Sequence, residues 1–397
     1  MDAMEKGESN PVKADEKFSC AVLYPFPAEL DGVSLQGDFL FRGLKGHGYR
    51  AYACDRAAGF EKDAIYRIYK PDFAIGVGYW GDTPSIIQNP LEHGITPVPW
   101  LNADGWVANY HEVFESLALI MVTSNWVKET YRRDGVRNPN IFPMPIGIDT
   151  THLAPIPKSD SRVQRMREIL GVAPDEKLIL TIGGDTTSKG FQEVLKALSQ
   201  IGSEFTNWRY IGKSWEFGQP EYHYNDEQKI IRDLGLPADR IDYIDGPLSR
   251  ETMRVLLNAA DVYAAPSRIE GFGMIQVEAM SCGIPVLSID AMGVKDTVVH
   301  GKTGLLAKVG ETVELEEEWV YEHMGFDTKQ KIRFDAPKTF AVRADVDDLS
   351  KHLLALLSDD ALREKMGKNA SEHAVKNFDY RKVSLDVANL IEKKFGL

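Results

Sequence analysis

The sequence is poor in cysteine: Cys20, Cys54 and Cys282 are odd in number and far apart among 397 residues. That fits neither a disulfide framework nor a metal knuckle, and the compartment expected is a reducing one, the cytoplasm. No apolar run approaches the ~20 residues a membrane helix needs, although peripheral contact with a membrane surface stays open. Residues 1–17, MDAMEKGESNPVKADEK, hold no apolar stretch that would serve as a secretory core and read as a disordered tail. Basic charge is also short, with 46 Lys and Arg against 59 Asp and Glu for a net charge of −13, and no local basic patch is evident. Such a chain has no field to hold a polyanion, so nucleic acid is excluded as a partner.

What is present is ordinary globular composition, 43% apolar and 26% charged, in a chain long enough for two or three domains. Short β-branched runs alternate with helical patterns, which predicts an α/β fold of parallel sheets covered by helices. Strands are expected at 19–25, 49–54, 72–78, 96–101, 118–124 and 140–146, giving a first domain over 18–154. The stretch 152–160, HLAPIPKSD, is a stiff polar connector. The pattern restarts with KLILTIGG (177–184) and continues to about residue 377 in a second domain. Between 309 and 343 the alternation fails in a segment that reads as an insertion, whose acidic run ELEEE (314–318) is a solvated face. In the last helical pattern Val383, Val387, Leu390 and Ile391 share one face and must dock on something, so 378–397 forms a separate closing helix.

Three turns have the composition of phosphate-binding loops. GVGYWG (76–81) has dinucleotide-type spacing but follows the third strand and is cut short by Pro84, so a dinucleotide site is not expected there. GGDTTSKG (183–190) is no Walker motif, since Ser188 and Gly190 stand where that motif needs Gly and Ser or Thr. It still leads a glycine turn into a helix N-terminus, with Lys189 adding a cation for an anion. The most informative is PSRIEGFGMIQVEAMSCGIPV (266–286), where Glu270 lies in a glycine-rich turn and Glu278 among apolar neighbours on the helix that follows. A carboxylate so flanked needs a hydroxyl, an amide or a cation. Gly271 and Gly273 allow a ligand close to the backbone, and the amides up to Ile275 suit a phosphate.

These residues resemble the retaining nucleotide-sugar glycosyltransferases of the GT-B fold, family four, also called glycosyl transferases group 1. The likeness rests on Glu270 and Glu278 in E-x₇-E, with VVHGKTGLLA (298–307), SNWVKETYRRDGV (124–136), PIGIDTTHL (145–153) and the SKG turn at 188–190. It implies two Rossmann-like domains facing a cleft and a C-terminal helix crossing back onto the first. It further implies that Lys189 contacts the donor diphosphate, Glu270 the transferred sugar and Glu278 the ribose. Amides of Gly273, Met274 and Ile275 would complete the pocket, IDGPLS (244–249) would surround the base, and Gly32 would approach the phosphates or the acceptor. Two departures stand out. Gly184 occupies the position of a common family arginine, for which Lys213 or Arg268 would substitute. PWLNADGW (99–106) lacks a frequent histidine, so Asn102 or Asp104 would act near the reacting centre.

The resemblance implies transfer of a sugar from a nucleoside diphosphate, a UDP-sugar in preference to a GDP-sugar, to a hydroxyl of a small-molecule, glycan or lipid-linked acceptor. No cofactor is required, and no metal is expected because neither a ligand cluster nor a D-x-D pair in a suitable loop is evident. The competing readings are a non-catalytic GT-B binding or scaffold subunit, which survival of Lys189, Glu270 and Glu278 together argues against, and a GT-B nucleotide-sugar epimerase.

Overall fold

The structure is a computed structural model and describes residues 17–29, 31–103, 105–202, 204–215 and 218–397. The first domain is a six-stranded parallel sheet of β1 (Ser19–Tyr24), β2 (Arg50–Asp55), β3 (Phe73–Tyr79), β4 (Thr96–Asn102), β5 (Ile120–Val122) and β6 (Ile141–Pro143), in the order β2-β1-β3-β4-β5-β6. All residues of β1 are buried, as expected of a parallel strand covered by helices on both faces. The second domain holds β7 (Lys177–Ile182), β8 (Trp208–Lys213), β9 (Ile241–Ile244), β10 (Val262–Ala264), β11 (Val286–Ile289) and β12 (Gly304–Ala307), in the order β12-β11-β10-β7-β8-β9. Both are Rossmann-like α/β domains, and their strand orders reverse beside β1 and β7 respectively. Ligands of such sheets bind outside the carboxyl ends of the strands at these reversals.

The expected strands fall where the sequence places them, but two run short. The 118–124 window yields only Ile120–Val122, because Ser124 leaves the sheet to cap the helix Asn125–Arg133, its hydroxyl accepting from the Val127 amide at 3.1 Å. The window at 140–146 shrinks to Ile141–Pro143. No helix among the described residues is long and apolar enough to cross a membrane.

The helix Tyr380–Phe395 packs on the helix Gly32–Gly46, burying Val383, Val387 and Ile391, while Leu390 is half-buried. Contact is close because Gly43 lacks a side chain: a Cβ there would stand 2.1 Å from Ser384 Oγ and 3.1 Å from the Tyr380 carbonyl oxygen. Gly43→Ala is therefore expected to force the helices apart and destabilise by about 1–3 kcal/mol, the usual cost of overpacking. Guanidinium unfolding checks this, and an unchanged midpoint would contradict the packing. The chain reaches this helix beside its own interdomain connection: Ile148 N donates to Phe378 O at 2.8 Å and Tyr380 N to Ile148 O at 2.9 Å. The Asp379 carboxylate accepts from Thr150 Oγ1 and from Arg381 Nε.

The segment at 309–343 is a two-stranded antiparallel ribbon, β13 (Val309–Val320) and β14 (Gln330–Ala344). Glu314, Glu316 and Glu317 are exposed on it. The base of the ribbon joins the second domain, with Val342 N donating to Arg268 O at 2.7 Å. Its far part lies on the first domain. Phe334 meets Trp106 at 5.5 Å between ring centroids, Trp106 meets Trp80 at 5.1 Å, and Asn109 Nδ2 donates to the carbonyls of Met324 and Gly325 at 3.1 Å each. Lys338 Nζ donates to Asp134 Oδ1 at 2.8 Å. The ribbon thus ties the two domains together.

Candidate functional site

A cavity of about 550 Å³ opens between the domains, within the ~300–1,000 Å³ usual for small-ligand sites. Its walls come from the carboxyl ends of β7, β8 and β10, from the start of the helix Met274–Ser281, and across the cleft from Glu29, Asp31 and Gly32. It therefore sits at the strand-order reversals of both sheets.

At the end of β7 the chain passes Gly183 and Gly184 into a single helical turn, Thr187–Lys189. Gly183 is required because Lys189 folds back over it: a Cβ there would lie 2.4 Å from Lys189 Cγ. Gly190, at φ +85°, then turns the chain while passing so near the Pro266 carbonyl that a Cβ would stand 2.4 Å from its oxygen. These constraints bring Lys189 Nζ to Glu270, donating to Oε2 at 2.7 Å. The other carboxylate oxygen, Oε1, accepts from the Gly273 amide at 2.9 Å. Gly273, at φ +90°, caps the helix Met274–Ser281, whose first amides have no partner within the helix. Lys189, Glu270 and the start of this helix thus converge on one wall of the cavity.

Glu278 lies one helical turn deeper and half-buried. Burial pushes its carboxyl up to about 7, partly opposed by Arg250, which lines the same cavity and stacks over the Phe39 ring at 5.1 Å. Lys213, at the end of β8, is buried with its Nζ donating to the Ser214 carbonyl at 2.7 Å, and burial holds its ammonium below the ordinary lysine value against the pull of Asp245. Met274 and Ile275 line the wall, and Gly32 faces Met274 across the cleft, where a Cβ would stand 3.9 Å from the Met274 sulfur. Gly184 also lines the cavity, but Trp215 covers it: a Cβ at 184 would meet the indole at 2.7 Å. An aromatic ring from the next βα unit occupies the space an arginine at 184 would need.

Two residues assigned to the pocket from sequence are placed elsewhere. Arg268 does not line the cavity; its Nη2 donates to Glu193 Oε1 and Gln192 Oε1, each at 2.9 Å, on the helix Phe191–Ile201. Glu193 is buried and needs cationic partners, and Arg343 Nη1 also donates to its Oε1, at 3.4 Å. Gly271 faces the first domain instead of the cavity, because a Cβ there would collide with Asn102 Oδ1 at 2.0 Å. Asn102 itself is bound to its own domain, its Oδ1 accepting from Thr123 Oγ1 at 3.0 Å. Asp104 lies outside the described residues. Sequence reasoning passed over Trp215 and Arg250. Arg250 carried only a faint signal, the capping Ser249 before it, whose hydroxyl accepts from Thr252 N.

Residues 163–319 match the family described as Glycosyl transferases group 1. A D-inositol 3-phosphate glycosyltransferase of Corynebacterium efficiens is 28% identical over 239 residues, 59% of this chain and 47% of that protein. A GDP-mannose-dependent alpha-(1-6)-phosphatidylinositol monomannoside mannosyltransferase of Mycolicibacterium smegmatis is 31% identical over 170 residues, 41% of each chain. The chain spans less than half the length of these curated relatives. Among solved structures, Anabaena HepE in complex with UDP and glucose matches with a TM-score of 0.70 at 16% identity, over 95% of this chain and 100% of that one. Sucrose-phosphate synthase from Thermosynechococcus elongatus matches at 0.71 and 18% identity, over 96% and 100%. At such identities the likeness concerns the fold, that of two facing Rossmann-like domains. The chain as a whole thus has the GT-B fold of two facing Rossmann-like domains, and its residues 163–319 are similar to the glycosyl transferases group 1.

Proposed function

We propose that the protein transfers a sugar from a nucleoside diphosphate sugar to an acceptor hydroxyl with retention of anomeric configuration. The observation that carries this reading is the meeting of the Lys189 ammonium, the Glu270 carboxylate and the Gly273 amide at the strand-order reversal. A diphosphate placed there would compete with Glu270 for both donors. Glu270, released from Lys189, would turn to the hydroxyls of the sugar. Lys213 lies at the next strand end as the second cation, in place of the family arginine missing at Gly184. Glu278 would hold the ribose, with Pro247, Leu248 and Trp215 flanking the base.

In the reaction, the bond between the anomeric carbon and the leaving phosphate oxygen breaks while the acceptor oxygen bonds to that carbon from the same face. The acceptor proton passes to the departing phosphate, so no side-chain base is needed. Lys189 and the helix-start amides stabilise the charge that develops on the diphosphate, usually the largest catalytic contribution. Donor base and acceptor are suggested by the similar proteins, whose names and titles record GDP-mannose, UDP, inositol phosphate and phosphatidylinositol monomannoside. UDP remains the default donor nucleotide.

Thermal unfolding against UDP-, GDP- and ADP-sugars tests the reading. A donor present at about 100 times its dissociation constant adds about 2.7 kcal/mol and moves the midpoint by several degrees. The shift is expected in the wild type and absent in Glu278→Ala, and the anomeric configuration of the product follows from proton NMR. If no donor shifts the midpoint, the scaffold reading replaces this one; turnover of the donor without any acceptor would favour the epimerase.

A further inference from the structure

The turn that carries Lys189 begins with two glycines and ends in a third with left-handed backbone, a composition that by itself leaves the lysine poorly fixed. What fixes it comes from a helix with no part in the cavity wall. Glu227, fully buried on the helix Glu221–Asp233, aims its carboxylate at the underside of the turn. Its Oε1 accepts from Thr187 Oγ1 at 2.7 Å and lies 3.0 Å from Thr186 Oγ1, while Oε2 accepts from Gln219 Nε2 at 3.0 Å. One turn earlier on the same helix, His223 Nδ1 lies 2.9 Å from Asp185 Oδ2, and the other Asp185 oxygen accepts from the Thr187 amide at 3.1 Å. The loop between β8 and this helix adds Gly218, so close under Gly184 that a Cβ would stand 2.4 Å from the Gly184 oxygen.

Every polar side chain from 185 to 187 is thus held by this helix or the loop before it, and Lys189 is the residue that the clamped turn presents to the cavity. A buried carboxylate is costly unless its hydrogen bonds are met, and here the turn's own hydroxyls meet them. We infer that Glu227 is a positioning residue for the nucleoside diphosphate, acting through Lys189: it fixes the turn so that the ammonium stands ready where the diphosphate binds. The inference rests on the donor reading above and extends it to a residue outside the pocket.

Coupling between the two residues separates positioning from mere stability. Binding of UDP and GDP would be measured by calorimetry on the full chain for wild type, Glu227→Ala, Lys189→Ala and the double variant. Ile231→Ala serves as a control, because Ile231 is buried on the same helix and its apolar side chain makes no hydrogen bond to the turn. Glu227→Ala is expected to weaken nucleotide binding about tenfold, and the double variant to bind no more than about twofold worse than Lys189→Ala alone, the non-additivity of residues acting as a unit. Ile231→Ala is expected to lower the melting temperature and leave affinity unchanged. Should Glu227→Ala fail to fold, Thr187→Val in the same cycle removes the hydroxyl at nearly constant shape. Additive losses, wild-type affinity in Glu227→Ala, or an equal loss in Ile231→Ala would each overturn the role of Glu227. A wild type that binds neither nucleotide, nor ADP in the same measurement, overturns the donor reading itself.

Discussion

Lys189→Ala is expected to lower turnover by about 10²–10³, the loss typical when one preorganised donor is removed from a developing negative charge. The side chain is held at both ends: its stem crosses Gly183, where a Cβ would come within 2.4 Å, and its tip donates to Glu270 at 2.7 Å. Lys189→Arg should recover only part of the rate, because a planar guanidinium carries its charge in a different geometry from an ammonium. Steady-state kinetics with the donor found by thermal shift provides the check. A loss smaller than about fivefold would remove Lys189 from the reacting centre, since a cation beside the leaving diphosphate is worth more than that.

The second large effect concerns stability. Asp134 is buried on the first domain and accepts from Arg133 Nε at 2.8 Å, from the Val107 amide at 2.7 Å and from Lys338 of the ribbon at 2.8 Å. Asp134→Ala strips these donors of their acceptor at once, and breaking a buried ion pair in this way costs about 3–5 kcal/mol. Burial alone would raise this carboxyl, but the hydrogen bonds from Arg133, Lys338 and Val107 outweigh it and hold the group below the ordinary aspartate value. The sign follows by linkage. With the folded value depressed, the contribution is complete above the unfolded value of ~3.9 and fades as pH falls through the folded one. Guanidinium unfolding should therefore show a wide gap between wild type and Asp134→Ala at neutral pH, narrowing in acid below that point. A gap that stays constant would mean that the carboxylate is not what binds the ribbon.

Glu278 behaves in the opposite sense. Its carboxyl is raised to about 7 by burial, so the folded state favours the protonated form and loses stability as pH rises toward that value. Glu278→Gln is expected to flatten this part of the pH–stability curve, read from midpoints between pH 5 and 8. An unaltered slope would point to another group as the source.

The two sheets were legible because parallel strands buried on both faces appear as unbroken apolar runs, and endings such as LILTIGG (178–184) into glycine turns mark where they stop. Lys189, Glu270 and the Met274–Ser281 helix start were legible for a related reason: each lies within a few residues of its own strand end, so local pattern carries position. The ribbon was not, because its exposed glutamates obscure the alternation of Val313 and Leu315. Arg268 shows the limit of sequence adjacency. It is two residues from Glu270, yet the buried Glu193, more than seventy positions earlier, decides where its guanidinium points. Trp215, Arg250 and Glu227 reach the site or its support from other βα units, and nothing in their local sequence announces that meeting.

The return of the chain to its first domain has a consequence for biosynthesis. Phe395 closes on Phe73 at 4.8 Å, and Tyr49 donates to Glu392 at 2.7 Å, so part of the first domain's core comes from residues made some three hundred positions later. The second domain has all its strands in hand before the helix Tyr380–Phe395 emerges. At ~5–20 residues per second, a nascent first domain waits tens of seconds with the apolar side of its Gly32–Gly46 helix uncovered. Of the two domains, the one synthesised earlier is the one completed later, and that helix face is where a chaperone would find it.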